Sequence, residues 1–504
     1  MRLAEVFSRA QCGLDAPLVR VEVHLAGGLP SLGIVGLPEM AVKESKDRVR
    51  SAIVNSGFDF PRRRITVNLA PADLPKDGGR FDLPIALGIL AASAQLPQES
   101  LKESEFLGEL SLGGELRRIV GALPAAMAAG RARRSTVMPK TNGPEAALAS
   151  GSILLAAGHL LEVCHHLRGS QPLERFQLSP CDPERNAGVD LAEVVGQHQA
   201  RRALEVAAAG GHSLLMIGPP GTGKSMLAAR LPGILPPMSE DEALESAAIR
   251  SVAGHSFDPK DFFRRPFRSP HHTASAVAMV GGGKHPRPGE ISLAHGGVLF
   301  LDEMPEFDRR VLEVLREPME TGRIHISRAA QQAEYPARFQ LIAAMNPCPC
   351  GYFGDREDRC RCSPAQVRKY RSRVSGPVLD RIEIHVELMR VSPAALQSRN
   401  RNAPTSGRVA QRVRTARDIQ FSRSGIANAS LTDREARKWC RLDVKAATIL
   451  ELAMEKLGLS ARAYHRILLV ARTIADLAVE ENISVTHISE AIGYRRLDRR
   501  WREE

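Results

Sequence analysis

The sequence predicts an α/β chain whose centre is a parallel sheet holding a nucleotide, and three stretches carry that prediction. The first is Gly218-Pro219-Pro220-Gly221-Thr222-Gly223-Lys224-Ser225, a complete G-x-x-x-x-G-K-S loop between the apolar run Leu214 to Ile217 and a helix-like segment. In a strand–loop–helix setting, the glycines Gly218, Gly221 and Gly223, with Thr222 between them, let backbone N–H groups turn onto phosphates. Lys224 then reaches the β and γ oxygens, and Ser225 is placed to ligate Mg²⁺. The second stretch, Gly297-Val298-Leu299-Phe300-Leu301-Asp302-Glu303, is a continuous apolar run ending in two acids. That is the pattern of a parallel strand covered on both faces, whose carboxyl end lies where open α/β sheets place their ligands. Asp302 is the expected Mg²⁺ ligand and Glu303 the acid that polarises the attacking water, a pair that favours ATP hydrolysis over ATP binding alone. The third stretch, Gln340 to Met345, is another apolar strand, and it ends in Asn346, the expected contact to the γ-phosphate or its water.

Taken from the amino terminus, residues 1–170 form the first predicted unit, with strands near Val21–His24 and Ile65–Leu69. Its segment Leu74-Pro75-Lys76-Asp77-Gly78-Gly79-Arg80-Phe81-Asp82 resembles the K-D-G-P-S-A-G segment of the Lon protease domain, with Arg80 where the nucleophilic serine belongs. Pro124 falls where the dyad lysine would be. Without a nucleophile or a base to activate it, acyl-enzyme chemistry is closed. The resemblance therefore implies an inactive Lon-protease-like α/β domain kept as a scaffold or a DNA-binding collar. Residues 171–187 are polar and proline-bearing and read as a linker.

Residues 188–392 form the predicted nucleotide-binding core, opening with Asp190 to Gln197 and a helical stretch from Gln199 to Ala209. Within it, Phe267-Arg268-Ser269-Pro270-His271-His272-Thr273-Ala274-Ser275, Gly281-Gly282-Gly283 and the stretch Pro286 to Gly297 resemble the magnesium-chelatase-like AAA+ ATPases of the ComM/YifB type. The resemblance implies a central AAA+ core and a C-terminal helical lid over 393–504. It also implies a homo-hexameric ring that hydrolyses ATP to move on single-stranded and branched DNA. Branch migration during homologous recombination and natural transformation is the implied role, with recombination proteins as candidate partners. Arg381 stands where ring-forming ATPases carry the finger that reaches a neighbouring subunit, and such a finger is worth ~10³–10⁵ in rate. Arg462, at the start of a long amphipathic helix, is the second expected sensor. A hairpin from Arg323 through Phe339 and the insertion from Arg268 to Glu290 match elements that face the pore in related helicases. Lys284, Arg287, Arg323 and Arg328 are accordingly the expected DNA phosphate contacts, which position a duplex without reading its sequence.

Four of the eight cysteines cluster as Cys348-Pro349-Cys350 and Cys360-Arg361-Cys362. Two C-x-C pairs around a short loop can close a thiolate tetrahedron, so structural Zn²⁺ in an insert at 348–362 is the expectation, with four free thiols or an iron–sulfur cluster as alternatives. Net charge is +12 over 504 residues and suggests an anionic macromolecular partner, nucleic acid first. The lack of an 18-residue apolar run and of a secretory h-region predicts a cytoplasmic protein with no membrane association. Beside the DNA translocase, a chelatase-type AAA+ motor remodelling a protein partner stays open, whereas Arg80 and Pro124 argue against an ATP-dependent protease.

Overall fold

The structure is a computed structural model that describes residues 3–37, 39–178, 189–283, 286–327, 332–354, 359–392 and 403–495. The amino-terminal strands are β1 (Leu3–Arg9), β2 (Leu18–Ala26), β3 (Ser31–Val35), β4 (Arg64–Ala70), β5 (Ser104–Phe106), β6 (Glu109–Leu110), β7 (Leu116–Arg117), β8 (Ser135–Pro139) and β9 (Leu154–Ala157). Seven of them form one mixed sheet in the order β3-β4-β2-β1-β5-β8-β9, while β6 and β7 pair as a separate hairpin. Alternation dictates the central strand: Val19, Val21, Val23 and Leu25 of β2 are buried, while Arg20 and His24 face out. Register then stacks Val21 between Val6 of β1 and Leu69 of β4. Helix Asp82–Ala92, buried along its whole length, packs on β1 and β2. It approaches closely because Gly88 faces Val23, where a Cβ would come within 2.5 Å of the valine methyl.

The second sheet is wholly parallel, in the order β11 (Phe267–Arg268), β14 (Val298–Leu301), β17 (Gln340–Met345), β10 (Leu214–Ile217), β18 (Ile384–Glu387). Every residue of β10, β14 and β17 is buried, as continuous apolar runs require when helices cover both faces. Two hairpins leave this core: β12 (Gly281–Gly282) with β13 (Arg287–Pro288), and β15 (Arg323–Ser327) with β16 (Gln332–Pro336). The second hairpin is shorter than the sequence reading, ending at Pro336 and not Phe339, because Ala337 returns its N–H to Gly322 and the chain turns into β17.

Helices Ser406–Ser424, Asp433–Trp439, Val444–Leu457, Ala461–Leu477 and Val485–Gly493 form the carboxyl-terminal bundle. The bundle shares one apolar core with helix His198–Gly210 and the sheet. His212 Nε2 meets Thr473 Oγ1 at 2.8 Å across that junction. The amino-terminal unit is joined to the nucleotide-binding unit by a further apolar cluster, in which helix Ala122–Arg131 lies on helix Glu240–Val252. Ser251 caps that contact, its carbonyl accepting from Gly121 N at 3.1 Å and its hydroxyl from Leu123 N at 3.3 Å.

Candidate functional site

The loop after β10 crosses the carboxyl end of the parallel sheet. It turns through Gly221 at φ +75° and Gly223 at φ +89°, left-handed values that a side chain would resist. Gly218 allows the loop to lie against β18's continuation, since a Cβ there would meet the Leu388 carbonyl at 2.5 Å. Lys224 is nearly buried, and its Nζ donates to the carbonyls of Gly218 at 2.7 Å and Pro219 at 3.0 Å and to Asn346 Oδ1 at 3.1 Å. Burial lowers its pKa, with the charges of Asp302 and Glu303 opposing the shift. Ser225 Oγ donates to Asp302 Oδ2 at 2.6 Å. A hydroxyl and a carboxylate oxygen are thereby brought together, the hard donor set that suits Mg²⁺. Thr222 closes the loop internally through its hydroxyl to the Pro219 carbonyl at 2.9 Å.

Glu303 follows β14 in a left-handed conformation, φ +51°, with its N–H donating to Asp302 Oδ1 at 3.0 Å. Such a φ in a non-glycine residue turns the carboxylate away from the strand direction that Asp302 continues. His272 Nδ1 lies 3.6 Å from Glu303 Oε2, and the His271 and His272 rings lie 4.2 Å apart between centroids, tilted by 32°. Gln197 reaches in from the other side, donating to the Thr222 carbonyl at 3.1 Å and the Met389 carbonyl at 2.7 Å. Both residues lie in stretches that carry the family resemblance, His272 within residues 267–275 and Gln197 at the end of 190–197, but their approach to Glu303 and to the phosphate loop is seen only in the folded chain.

The four clustered cysteines converge, every sulfur within 4.8 Å of the others. Cys348 Sγ lies 3.3 Å from Cys350 Sγ and 3.8 Å from Cys360 Sγ, and Cys350 to Cys360 is 3.7 Å. A zinc tetrathiolate with Zn–S of about 2.3 Å has edges of about 3.8 Å, so the donor set fits. Burial pushes the Cys350 thiol up, but backbone hydrogen bonds from Arg361 and Tyr352 and contacts with its neighbours prevail and hold it at about 6. Cys362 completes the group. The loop that carries them stands on the phosphate loop, for a Cβ on Gly351 would sit 2.7 Å from Pro220.

The remaining predicted positions fall less uniformly. Arg381 is buried and turned inward, ion-paired with Glu320 and donating to the Pro377 carbonyl at 2.6 Å. Arg462 is exposed in the first turn of helix Ala461–Leu477. Arg323 is exposed and paired with Glu334 across its own hairpin, and Arg287 is exposed on β13. Lys284 and Arg328 lie outside the described residues. In the amino-terminal unit Arg80 is buried and Pro124 lies inside the helix docked on Glu240–Val252.

A wholly parallel sheet with a phosphate loop at one strand end, an asparagine at the neighbouring strand's end and acids at the one beyond defines an AAA+-type nucleotide-binding protein. Family models narrow this: magnesium chelatase subunit ChlI matches residues 190–396, subunit ChlI of Mg-chelatase 21–142 and the ChlI carboxyl-terminal region 403–495. The chain is 52% identical over 499 residues to the uncharacterized protein YifB of Salmonella typhimurium, covering 99% of this chain and 98% of that one. Over 503 residues it is 50% identical to the competence protein ComM of Haemophilus influenzae, with the same coverage. A stretch of 101 residues, 20% of the chain, is 32% identical to the DNA replication licensing factor mcm-6 of Caenorhabditis briggsae. The chain belongs to the magnesium-chelatase-like family of the ComM/YifB type. Among the described residues no helix is long and apolar enough to cross a membrane.

Proposed function

We propose that this protein is an ATP hydrolase that works as a ring-shaped DNA motor, promoting branch migration of recombining strands. The observation that carries the hydrolase reading is the convergence of Lys224, Ser225, Asp302, Glu303 and Asn346 at adjacent strand ends. Lys224 exchanges its loop carbonyls for β and γ oxygens, and Glu303 accepts a hydrogen bond from the attacking water and orients it in line with the γ-phosphorus. Asn346, already bonded to Lys224, senses the same phosphate. Ser225 and Asp302 would hold Mg²⁺, which would supply charge neutralisation for the phosphoryl transfer.

The DNA reading is supported by the net charge of +12, by two hairpins carrying Arg287 and Arg323, and by the likeness to a competence protein and to a replication licensing factor. ATP turnover measured with and without single-stranded and branched DNA, at two salt concentrations, tests it. The expected result is turnover that DNA raises, that salt suppresses along with phosphate contacts, and that Glu303→Gln abolishes. Turnover that needs Glu303 but ignores DNA would reject the DNA substrate and favour a chelatase-type motor remodelling a protein partner.

A further inference from the structure

Parallel pairing sets Arg268 of β11 beside Leu299 of β14. Four residues beyond that pair stand His272 on one strand's continuation and Glu303 on the other's, so the register that builds the sheet edge also carries an imidazole to the acid at the nucleotide site. The loop that holds His272 is tied down at both ends. Arg268 is clamped to Glu290 through Nε and Nη2, each at 2.7 Å. Ala274 N donates to the His271 carbonyl at 2.9 Å, and His271 Nδ1 lies 2.9 Å from Thr273 Oγ1. The His272 ring also meets the buried Phe307 ring edge-on, with 6.5 Å between centroids.

Glu303 has no comparable support. Its side chain is 53% exposed, and among the described residues no group donates a hydrogen bond to its carboxylate. A flexible acid that must hold a water in line with phosphorus loses rate to its own rotamers, since a misplacement of about 1 Å costs on the order of 10²-fold. His272 Nδ1, 3.6 Å from Glu303 Oε2, is the donor placed to limit that freedom. A carboxylate only accepts, so the useful tautomer carries its proton on Nδ1. Catalytic hydrogen bonds are commonly long before substrate binds and tighten with it.

The geometry points to His272 as a positioning residue for Glu303, one that fixes the carboxylate's orientation through Nδ1 and acts on the attacking water only through that carboxylate. This rests on the reading of Glu303 as the water-orienting acid. Single-turnover hydrolysis of radiolabelled ATP by the full chain with Mg²⁺ tests it in His272→Ala, His272→Asn and His272→Gln, each also combined with Glu303→Gln. The amide nitrogen of asparagine falls near the place of Nδ1 and that of glutamine near Nε2, so donor position is separated from side-chain bulk.

The expected result is a rate about tenfold lower in His272→Ala, with affinity for a fluorescent ATP analogue within about twofold of native. His272→Asn should return the rate to within about threefold of native, and His272→Gln should not. In the Glu303→Gln background His272→Ala should change the rate by less than about twofold, because the carboxylate it orients is gone. A native rate in His272→Ala overturns the proposal, and so does the same loss in both backgrounds. Equal loss in all three single variants would tie His272 to packing and overturn it as well. Glu303→Gln hydrolysing at the native rate overturns the reading of Glu303 and this proposal together, whereas a slow Glu303→Gln beside a native His272→Ala overturns this proposal alone.

Discussion

At the scale of single residues, the nucleotide site is a set of short bonds whose removal has separable consequences. Ser225 is bonded to Asp302, whereas the Glu303 carboxylate lies 3.6 Å from His272 Nδ1. Glu303→Gln should therefore leave ATP binding within about threefold and lower kcat by ~10²–10⁴, the usual reach of one positioned acid or base. Filter binding beside steady-state turnover would show the split, and a parallel loss of affinity would place Glu303 in binding. Most of this site was legible in the sequence because its parts are local. The phosphate loop, the strand ending in Asp302 and the strand ending in Asn346 each carry their chemistry within eight residues or fewer. Arg381 shows the limit: its position after Pro377 is readable, but its inward turn onto Glu320 depends on helix Arg316–Thr321, and nothing in the local sequence announces that pairing.

At the scale of elements, two local devices can be tested apart from catalysis. The cysteine loop between β17 and helix Pro364–Arg371 has little apolar material of its own, with Cys348 its buried anchor. Zinc-driven folding of such loops is worth ~10–16 kcal/mol in isolated peptides, so metal should be what holds this one. The purified chain is expected to release one Zn²⁺ per subunit when its thiols are titrated with a mercurial. Stripping should lower the melting temperature and, through Gly351 against Pro220, impair nucleotide binding. A metal-free chain of undiminished stability would contradict this. The second device is His212 at the junction of sheet and bundle. Burial, with help from Arg417 and Arg466, depresses its pKa to about 3. The unfolded chain takes up a proton near 6.5 while the folded chain does not, so stability falls as pH drops below 6.5. Between pH 7 and pH 5 this one group should cost ~2 kcal/mol. His212→Gln should flatten that part of the pH–stability curve, measured by denaturant midpoints, and an unchanged slope would assign the acid sensitivity elsewhere.

At the scale of the whole molecule, the amino-terminal unit is built into the nucleotide-binding unit. Ala122, Ala125 and Ala126 meet Met238, Ala243, Ala247 and Phe262 in one apolar cluster, and Arg118 ties the edge to the His255 carbonyl at 2.8 Å. Interfaces between domains of one chain are usually more polar than this, and relative motion is the default unless they are apolar. The joint is not legible in the sequence, because alanine-rich helices carry no motif and the resemblance to Lon points at missing catalytic groups. Pro124 sits inside the docked helix, and Arg80 donates to the Val120 carbonyl just before that helix begins. Burying a charge there should separate the units while leaving each sheet intact. Ala247→Glu places a carboxylate in the apolar cluster that holds Ala122, Ala125 and Ala126, at a cost on the order of 3 kcal/mol. The native chain is then expected to melt in one transition across both units, and the variant in two. Trypsin should cut the variant faster between residues 171 and 187. A single transition retained in the variant, with cleavage at the native rate, would mean that the units are held by Arg118 and Ser251 and that the apolar contact contributes little.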